Sequence, residues 1–312
     1  MSIQPKLIIH GGAGSSLKGK GGIEVVRQSL YTVIKEVYSM LLNGANATDA
    51  VVKGCQMLED DPRFNAGTGS VLQSDAQIRM SASLMDGSLQ RLSGVINVSR
   101  VKNPIDLAQF LQQSPDRILS DYGSVELARE LQIPTYNPLT DLRLQEWIAE
   151  RAENFQKTMA TVVAESTESE AGKGTIGVVA LDDQGRISAG TSTGGKGFER
   201  IGRVSDSAMP AGNYANHLAG ISCTGIGEDI IDECLAAKIV IRVTDGMSLK
   251  DAFDRSFTEA NQRNRDFGAI GIDHTGSIAI GKTCEVILAA YHTGDIIGDA
   301  LELESKSLVI NV

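Results

Sequence analysis

The chain has 312 residues, a formal net charge of -10, 42% hydrophobic and 22% charged residues, and 33 glycines against only 4% aromatics. That length and balance suit a soluble protein of one large or two smaller α/β domains with a substantial buried core. The acidic charge without a basic stripe excludes nucleic acid as a partner, and no apolar run is long enough to cross a membrane.

Cys55, Cys223, Cys234 and Cys284 show neither a metal nor a redox spacing and are expected to be reduced core thiols of a cytoplasmic protein. The chain begins almost directly with a strand, so no signal peptide is expected. Glycine in such excess over aromatics points to tight turns and to backbone that approaches ligands closely.

In chain order, Leu7-Ile8-Ile9 reads as a buried strand running into the loop His10-Gly11-Gly12-Ala13-Gly14. Val26, Leu30, Val33, Ile34, Val37 and Leu41 recur at helical spacing between Gly22 and Leu42, and Asn43-Gly44 ends that pattern. A second helix is expected from Asn46 to Leu58. The next loop, Glu59 to Gly69, opens on three carboxylates, where negative charge opposes the dipole at a helix C-terminus and favours a bound cation. Ile78–Leu84 and Leu92–Val98 look like paired strands joined by the turn Met85-Asp86-Gly87-Ser88. Amphipathic helices are expected between Pro104 and Phe155.

Periodicity then stops until Thr175. Residues 156–174 read as a flexible linker, because Ala164 to Lys173 carries three glutamates and few apolar side chains. At Gly174-Thr175 this polar segment meets Ile176-Gly177-Val178-Val179-Ala180-Leu181, a fully apolar strand. Mobile segments normally occupy termini, so the junction reads as a terminus created by cleavage. Such a cut would serve catalysis: a threonine hydroxyl is a weak nucleophile, and a free α-amine on the same residue is a base with a pKa of about 7.7 to 8.0. A Gly-Thr pair alone is commonplace, and it gains weight only from the residues downstream of it.

Gly177 to Gly190 aligns without gaps on Gly268 to Gly281, each a strand, an Asp-X-X-Gly turn and a strand. Between the two hairpins, Glu228–Arg242 and Ser248–Asn261 read as helices, which together imply sheets flanked by helices. Thr191-Ser192-Thr193-Gly194-Gly195 would set hydroxyls beside Thr175 if its strand pairs with the one that Thr175 begins. Gly202-Arg203-Val204-Ser205-Asp206-Ser207 offers one site for a carboxylate and one for an ammonium. Ser222-Cys223-Thr224-Gly225-Ile226-Gly227-Glu228 is a strand end opening a helix, with free N–H groups suited to an oxyanion. Nucleophile, auxiliary hydroxyl, oxyanion donors and two charge sites suggest hydrolysis of an amide on a zwitterionic substrate.

These stretches, with Phe64-Asn65-Ala66-Gly67 and Met85-Asp86-Gly87, stand in an order and spacing that resembles the plant-type L-asparaginases or isoaspartyl peptidases, from Leu7 to about Tyr291. The resemblance implies an N-terminal-nucleophile hydrolase with a four-layer αββα sandwich, a single domain over 1–312 that cuts itself into an α chain (1–174) and a β chain (175–312). It further implies an (αβ)2 assembly. Its substrates would be isoaspartyl dipeptides and L-asparagine, with no cofactor for catalysis. Carried over residue by residue, Thr175 would be the nucleophile, Thr193 its helper, and Thr224 with the Gly225 N–H the oxyanion donors. Arg203 would take the substrate α-carboxylate, and Asp206 with the Gly225 carbonyl its α-ammonium. Asn65, Val204, Ser205, Ile226 and Gly227 would complete the substrate site. Backbone carbonyls of Leu58, Glu59, Asp61, Phe64, Ala66 and Thr68 would hold a structural sodium ion.

The chain departs from that family at Met80-Ser81-Ala82, where an acidic residue is common, at Lys196 to Ile201, and at a shorter Met209-Pro210. The last two lie near the substrate mouth and bear on the leaving group. Other readings stay open: a glycosylasparaginase-like amidase, which would usually carry a signal peptide; a threonine-aspartase protease, which would need added segments; or a ligand-binding protein without catalysis.

Overall fold

The computed structural model describes residues 3–14, 21–160, 174–304 and 307–310. The first half comprises β1 (Lys6–Gly14), α1 (Ile23–Leu42), α2 (Ala47–Glu59), β2 (Met80–Asp86), β3 (Arg91–Val98), α3 (Pro104–Leu111), β4 (Ile118–Ser120), α4 (Asp121–Glu130) and α5 (Asp141–Ala160). After Thr175 come β5 (Ile176–Leu181), β6 (Ile187–Thr193), β7 (Asn213–Ala215), β8 (Ala219–Gly225), α6 (Gly227–Glu233), α7 (Leu235–Thr244) and α8 (Leu249–Gln262). The chain closes with β9 (Phe267–Asp273), β10 (Ile278–Lys282), β11 (Val286–His292), β12 (Ile297–Asp299) and β13 (Ser307–Ile310).

Two sheets result, one ordered β12-β11-β1-β5-β6-β2-β3-β4 and the other β13-β10-β9-β8-β7. Successive strand residues point to opposite faces, and the core is sorted by that alternation. On β1 and β5, Leu7, Ile9, Ile176, Val178 and Ala180 join the core formed with α1, α2 and α3. Their neighbours Ile8, Val179 and Leu181 face the other way, into an inter-sheet core shared with Ile270, Ile272, Ile278 and Ile280 of β9 and β10. The outer face of the second sheet meets α7 and α8 through Ile239, Val240, Phe253 and Phe257. Helix, sheet, sheet, helix is the expected αββα sandwich.

The two hairpins repeat in space as in sequence. Asp182 Oδ1 accepts the N–H groups of Gln184 and Arg186 at 3.0 Å each, and Asp273 Oδ1 those of Thr275 and Ser277 at 2.9 and 3.0 Å. Gly185 and Gly276 take φ of +80° and +88°, a left-handed turn position that glycine occupies at little cost.

Several expectations need correction. The helix expected over Glu228–Arg242 is broken at Cys234, whose left-handed φ of 47° cannot continue a right-handed helix and separates α6 from α7. Cys55 and Cys223 are buried thiols as expected, but Cys234 is exposed. The turn after β2 falls at Gly87–Gln90, two residues later than expected, with Met85 and Asp86 still in the strand. Helix α5 extends to Ala160, so the first five residues of the expected linker are helical. Residues 161–173 lie outside the described residues. Among the described residues no helix is long and apolar enough to cross a membrane.

Candidate active site

Thr175 stands immediately before β5, and the pairing of Ile176 with Ser192 carries it to the position opposite Thr193. The hydroxyls meet there: Thr175 Oγ1 donates to Thr193 Oγ1 at 3.0 Å, and Thr193 Oγ1 accepts the Gly195 N–H at 3.1 Å. Both threonines are buried. A nucleophile with one fixed hydroxyl partner loses little rotational freedom on reaching an attacking geometry.

The peptide preceding Thr175 is held as well. Asn65 donates its backbone N–H to the Gly174 carbonyl at 3.1 Å, and its carbonyl accepts the Gly194 N–H at 2.8 Å. Its side-chain Nδ2 donates to the Gly195 carbonyl at 2.7 Å, while Oδ1 accepts the Val71 N–H at 3.0 Å. One asparagine therefore ties the Gly174–Thr175 junction to the end of β6. On the other side, Gly12 has φ +118°, and a Cβ there would fall 2.6 Å from Gly174 Cα.

Beneath the nucleophile the two sheets are joined by hydroxyls. Thr191 Oγ1 lies 2.6 Å from Ser222 Oγ, which lies 2.9 Å from His10 Nε2. Gly177 sits between them in the sheet, and a Cβ there would meet Ser222 Oγ at 2.0 Å. Burial pushes the His10 imidazole down to about 3, so it stays neutral in this network.

Strand β8 delivers Thr224. Gly220 faces Val179 and Ile187, and two residues on Ser222 faces Gly177 and Thr191. The same stride brings Thr224 to the sheet end occupied by Thr175 and Thr193, on the same face as Ser222. Its Oγ1 is buried without a hydrogen-bond partner among the described residues, as are Ser205 Oγ and Asp206 Oδ2. Each such orphan costs about 1 to 3 kcal/mol unless a ligand or water completes it. Gly225 is next in the chain with φ +135°, and a Cβ on it would strike Phe267 Cα at 2.5 Å.

The charge site is assembled around Gly227, where a Cβ would lie 2.6 Å from Arg203 Nη2 and 2.8 Å from Asp206 Oδ1. Arg203, Asp206 and Gly227 are thus brought together as expected. Burial pushes Asp206 up to about 7, partly offset by the Arg203 charge. Burial also opposes the charge of Arg203, but the carboxylate of Glu228, with Glu199 and Asp206 nearby, keeps its pKa above the ordinary arginine value. Glu228 pairs with Arg203 at 2.8 Å, a contact that the spacing of Arg203 and Asp206 did not reveal. Its signal was present, since Glu228 directly follows the Gly-Ile-Gly turn. Val204, 39% exposed, lies at the surface, and the Ile226 N–H is committed to the Asp266 carbonyl at 2.9 Å. Those two residues make no hydrogen bond to the charged pair among the described residues.

The expected cation loop folds back on itself. The carbonyls of Leu58, Glu59 and Asp61 accept the N–H groups of Asp61, Thr68 and Phe64 at 3.3, 2.7 and 3.1 Å. Each keeps a second lone pair, and hard oxygen donors of this kind fit a hard cation. Glu59 is fully buried rather than solvated; its Oε1 accepts the Ile105 N–H at 3.2 Å, and burial pushes its carboxyl up to about 8. No group of three or more His, Cys, Asp or Glu side chains among the described residues is arranged to hold a metal.

The model of the asparaginase family matches residues 3–302. An isoaspartyl peptidase/L-asparaginase of Nostoc sp. is 73% identical over 304 residues, covering 96% of each chain. One of Synechocystis sp. is 67% identical over 300 residues, 96% of this chain and 91% of that one. A plant-type L-asparaginase of Pyrococcus horikoshii is 35% identical over 298 residues, 91% of this chain and 95% of its own.

Proposed function

The chain belongs to the asparaginase family, and from that premise we infer a threonine hydrolase that removes β-linked aspartyl residues from isoaspartyl dipeptides and converts asparagine to aspartate and ammonia. The observation that carries the inference is the 3.0 Å hydroxyl contact of Thr175 with Thr193 at the start of a buried strand. It gives a weak nucleophile the fixed partner such chemistry needs.

Self-cleavage before Thr175 comes first. The Thr175 hydroxyl adds to the Gly174 carbonyl, the peptide C–N bond breaks as its nitrogen takes a proton, and water hydrolyses the resulting ester. The products are an α chain 1–174 and a β chain 175–312 whose new α-amine adjoins the hydroxyl. In turnover that amine takes the hydroxyl proton while Thr175 Oγ1 attacks the substrate side-chain amide. Thr224 Oγ1 and the Gly225 N–H hold the oxyanion. The proton then passes to the leaving nitrogen, and water releases aspartate from the ester.

Arg203 reads the substrate α-carboxylate, and Asp206 with the Gly225 carbonyl reads the α-ammonium. Asn65, Ser205 and Gly227 complete the substrate site, with Val204 and Ile226 at its margin. The mature chains assemble as (αβ)2, and the carbonyls of Leu58, Glu59, Asp61, Phe64, Ala66 and Thr68 would hold a sodium ion, which would brace the loop that carries Asn65.

The test is kcat/KM for β-Asp-Leu, α-Asp-Leu, asparagine and glutamine. An α-linked peptide has spent its α-carboxylate in the bond and leaves Arg203 unpaired, which rejects a substrate far more strongly than a missing methylene does. β-Asp-Leu should lead, asparagine come second, and α-Asp-Leu and glutamine fall orders of magnitude behind. Comparable turnover of α-Asp-Leu would overturn this account of recognition.

A further inference from the structure

The Arg203 guanidinium is engaged before any substrate arrives. Its Nε donates to Glu228 Oε1 at 2.8 Å and its Nη2 to Glu228 Oε2 at 3.1 Å, a two-point contact along one edge of the planar group. The Arg203 side chain is 14% exposed and that of Glu228 51%, so the arginine is the buried member and the glutamate sits at the solvent side. Glu228 is the second residue of α6, directly after Gly227, against which both Arg203 Nη2 and Asp206 Oδ1 pack. Backbone on one side and a carboxylate on another thus fix where the guanidinium plane lies.

Arginine carries five N–H donors in a rigid planar array, and a carboxylate bound across Nε and Nη2 uses only two of them. The Nη1 group makes no hydrogen bond to any described residue, and with the second Nη2 hydrogen it forms the remaining edge of the fork. Two carboxylates can therefore occupy one guanidinium at the same time. If the substrate instead displaced Glu228, the freed carboxylate would keep only Lys196, at 4.0 Å and itself 57% exposed, as a cation partner.

Resting on the reading of Arg203 as the carboxylate reader, we propose that Glu228 is a positioning residue for substrate recognition: it locks the Nε–Nη2 edge of Arg203 and so presents the Nη1–Nη2 edge to the substrate α-carboxylate. Glu228 need not touch the substrate. Its effect falls on binding, and it has no part in the bond-breaking steps at Thr175.

The experiment is steady-state kinetics of Glu228→Ala, Glu228→Gln and Arg203→Lys on β-Asp-Leu and asparagine, together with a double variant carrying Glu228→Ala and Arg203→Lys. Glu228→Ala should raise KM for both substrates by about ten- to a hundredfold, the loss expected when a charge-assisted contact no longer orients its partner, while kcat stays within about threefold. Glu228→Gln, which can accept from only one of the two N–H groups, should fall between wild type and Ala. It also carries the test if the alanine variant does not fold. In the Arg203→Lys background Glu228→Ala should add little, because an ammonium has no edge to orient.

An unchanged KM in Glu228→Ala would overturn the proposal, and a lowered KM would show instead that Glu228 competes with the substrate. A kcat loss without a KM change would also overturn it. Failure of the underlying reading looks different: Arg203→Lys itself would then leave kcat/KM at the wild-type value.

Discussion

The backbone N–H of Asn65 points its hydrogen bond at the carbonyl oxygen of Gly174, 3.1 Å away, while the Asn65 side-chain amide holds the Gly195 carbonyl at 2.7 Å. The first contact polarises the carbonyl that Thr175 must attack in self-cleavage, and the second keeps Asn65 in register with the strand end that carries Thr193. Truncating the side chain removes the second contact and leaves the Gly195 carbonyl and Val71 N–H without it. Asn65→Ala should therefore accumulate uncut precursor, with cleavage slowed by about tenfold or more for the roughly 1.5 kcal/mol of a lost positioning hydrogen bond. Intact mass spectrometry over time reads this directly. Cleavage at the wild-type rate would mean that the clamp is ornamental, whereas Thr175→Ala should stay whole under any conditions.

Gly12 bears on the same bond from the other side. Its φ of +118° suits glycine only, and an added Cβ would lie 2.6 Å from Gly174 Cα, a backbone atom rather than the yielding end of a side chain. Gly12→Ala should either move Gly174 away from Asn65 or lose stability by about 1 to 3 kcal/mol through overpacking. The expected outcome is a folded but slowly cleaved chain, seen as a persistent full-length band with near-native circular dichroism. Rapid, complete cleavage would show that Gly174 has more room than its packing implies.

His10 should make the fold sensitive to acid. Its folded-state pKa lies well below the ordinary value, driven down by burial to about 3, so between pH 6.5 and 3 the unfolded chain takes up a proton that the folded chain refuses. Stability is then fully present above pH 6.5 and is lost as pH falls through that window, by about 1.4 kcal/mol per pH unit for one proton. Urea midpoints of the uncut Thr175→Ala protein between pH 5 and 7 should show this slope, and adding His10→Gln should reduce it by one proton. An unchanged slope would mean that other groups dominate acid unfolding.

Much of this was readable in the residues because local chemistry and global fold agree. The unbroken buried runs of β1, β5 and β9, the Asp-X-X-Gly turns at Asp182 and Asp273, and the helix starts at Asn46 and Ser248 each act through neighbours in sequence. The threonine pair was legible for the same reason, since a hairpin brings Thr193 back opposite Thr175. Contacts across the sandwich were not. Nothing local links His10 to Ser222, 212 residues away, or Asn65 to Gly195, 130 away. Glu59 was not legible either: the acidic run at the end of α2 pointed to a bound cation, yet the Glu59 side chain turns inward to the start of α3 and is fully buried. The break at Cys234 was hidden because helical apolar spacing continues on both sides of one left-handed residue.

Asp206 should set the acid limb of substrate capture. Burial pushes its carboxyl up to about 7, with Arg203 offsetting only part of that cost. Below pH 7 the empty site therefore holds a neutral acid, which cannot pair with a substrate ammonium, and above pH 7 it holds a carboxylate. Because kcat/KM reports ionisations of the free enzyme, it should fall as pH drops through 7. The Thr175 α-amine, ordinarily near 7.7 to 8.0, must also be unprotonated, so the limb should approach a slope of two. The arriving ammonium favours the ionised carboxylate, so the limb of kcat, which reports the complex, should lie lower and be shallower. Asp206→Asn should lower kcat/KM strongly and return its acid limb to a slope of one. The stability sign runs opposite to that of His10: from about pH 3.8 to 7 the folded chain keeps a proton that the unfolded chain has released, so this group lowers stability as pH rises through that window. Asp206→Asn should accordingly be more stable than the parent at pH 8, in urea unfolding of the uncut Thr175→Ala background, by a few kcal/mol at most. Equal limbs in the two enzymes, or a less stable asparagine variant at pH 8, would show that Asp206 is ionised in the empty site and that its burial is compensated by contacts other than Arg203.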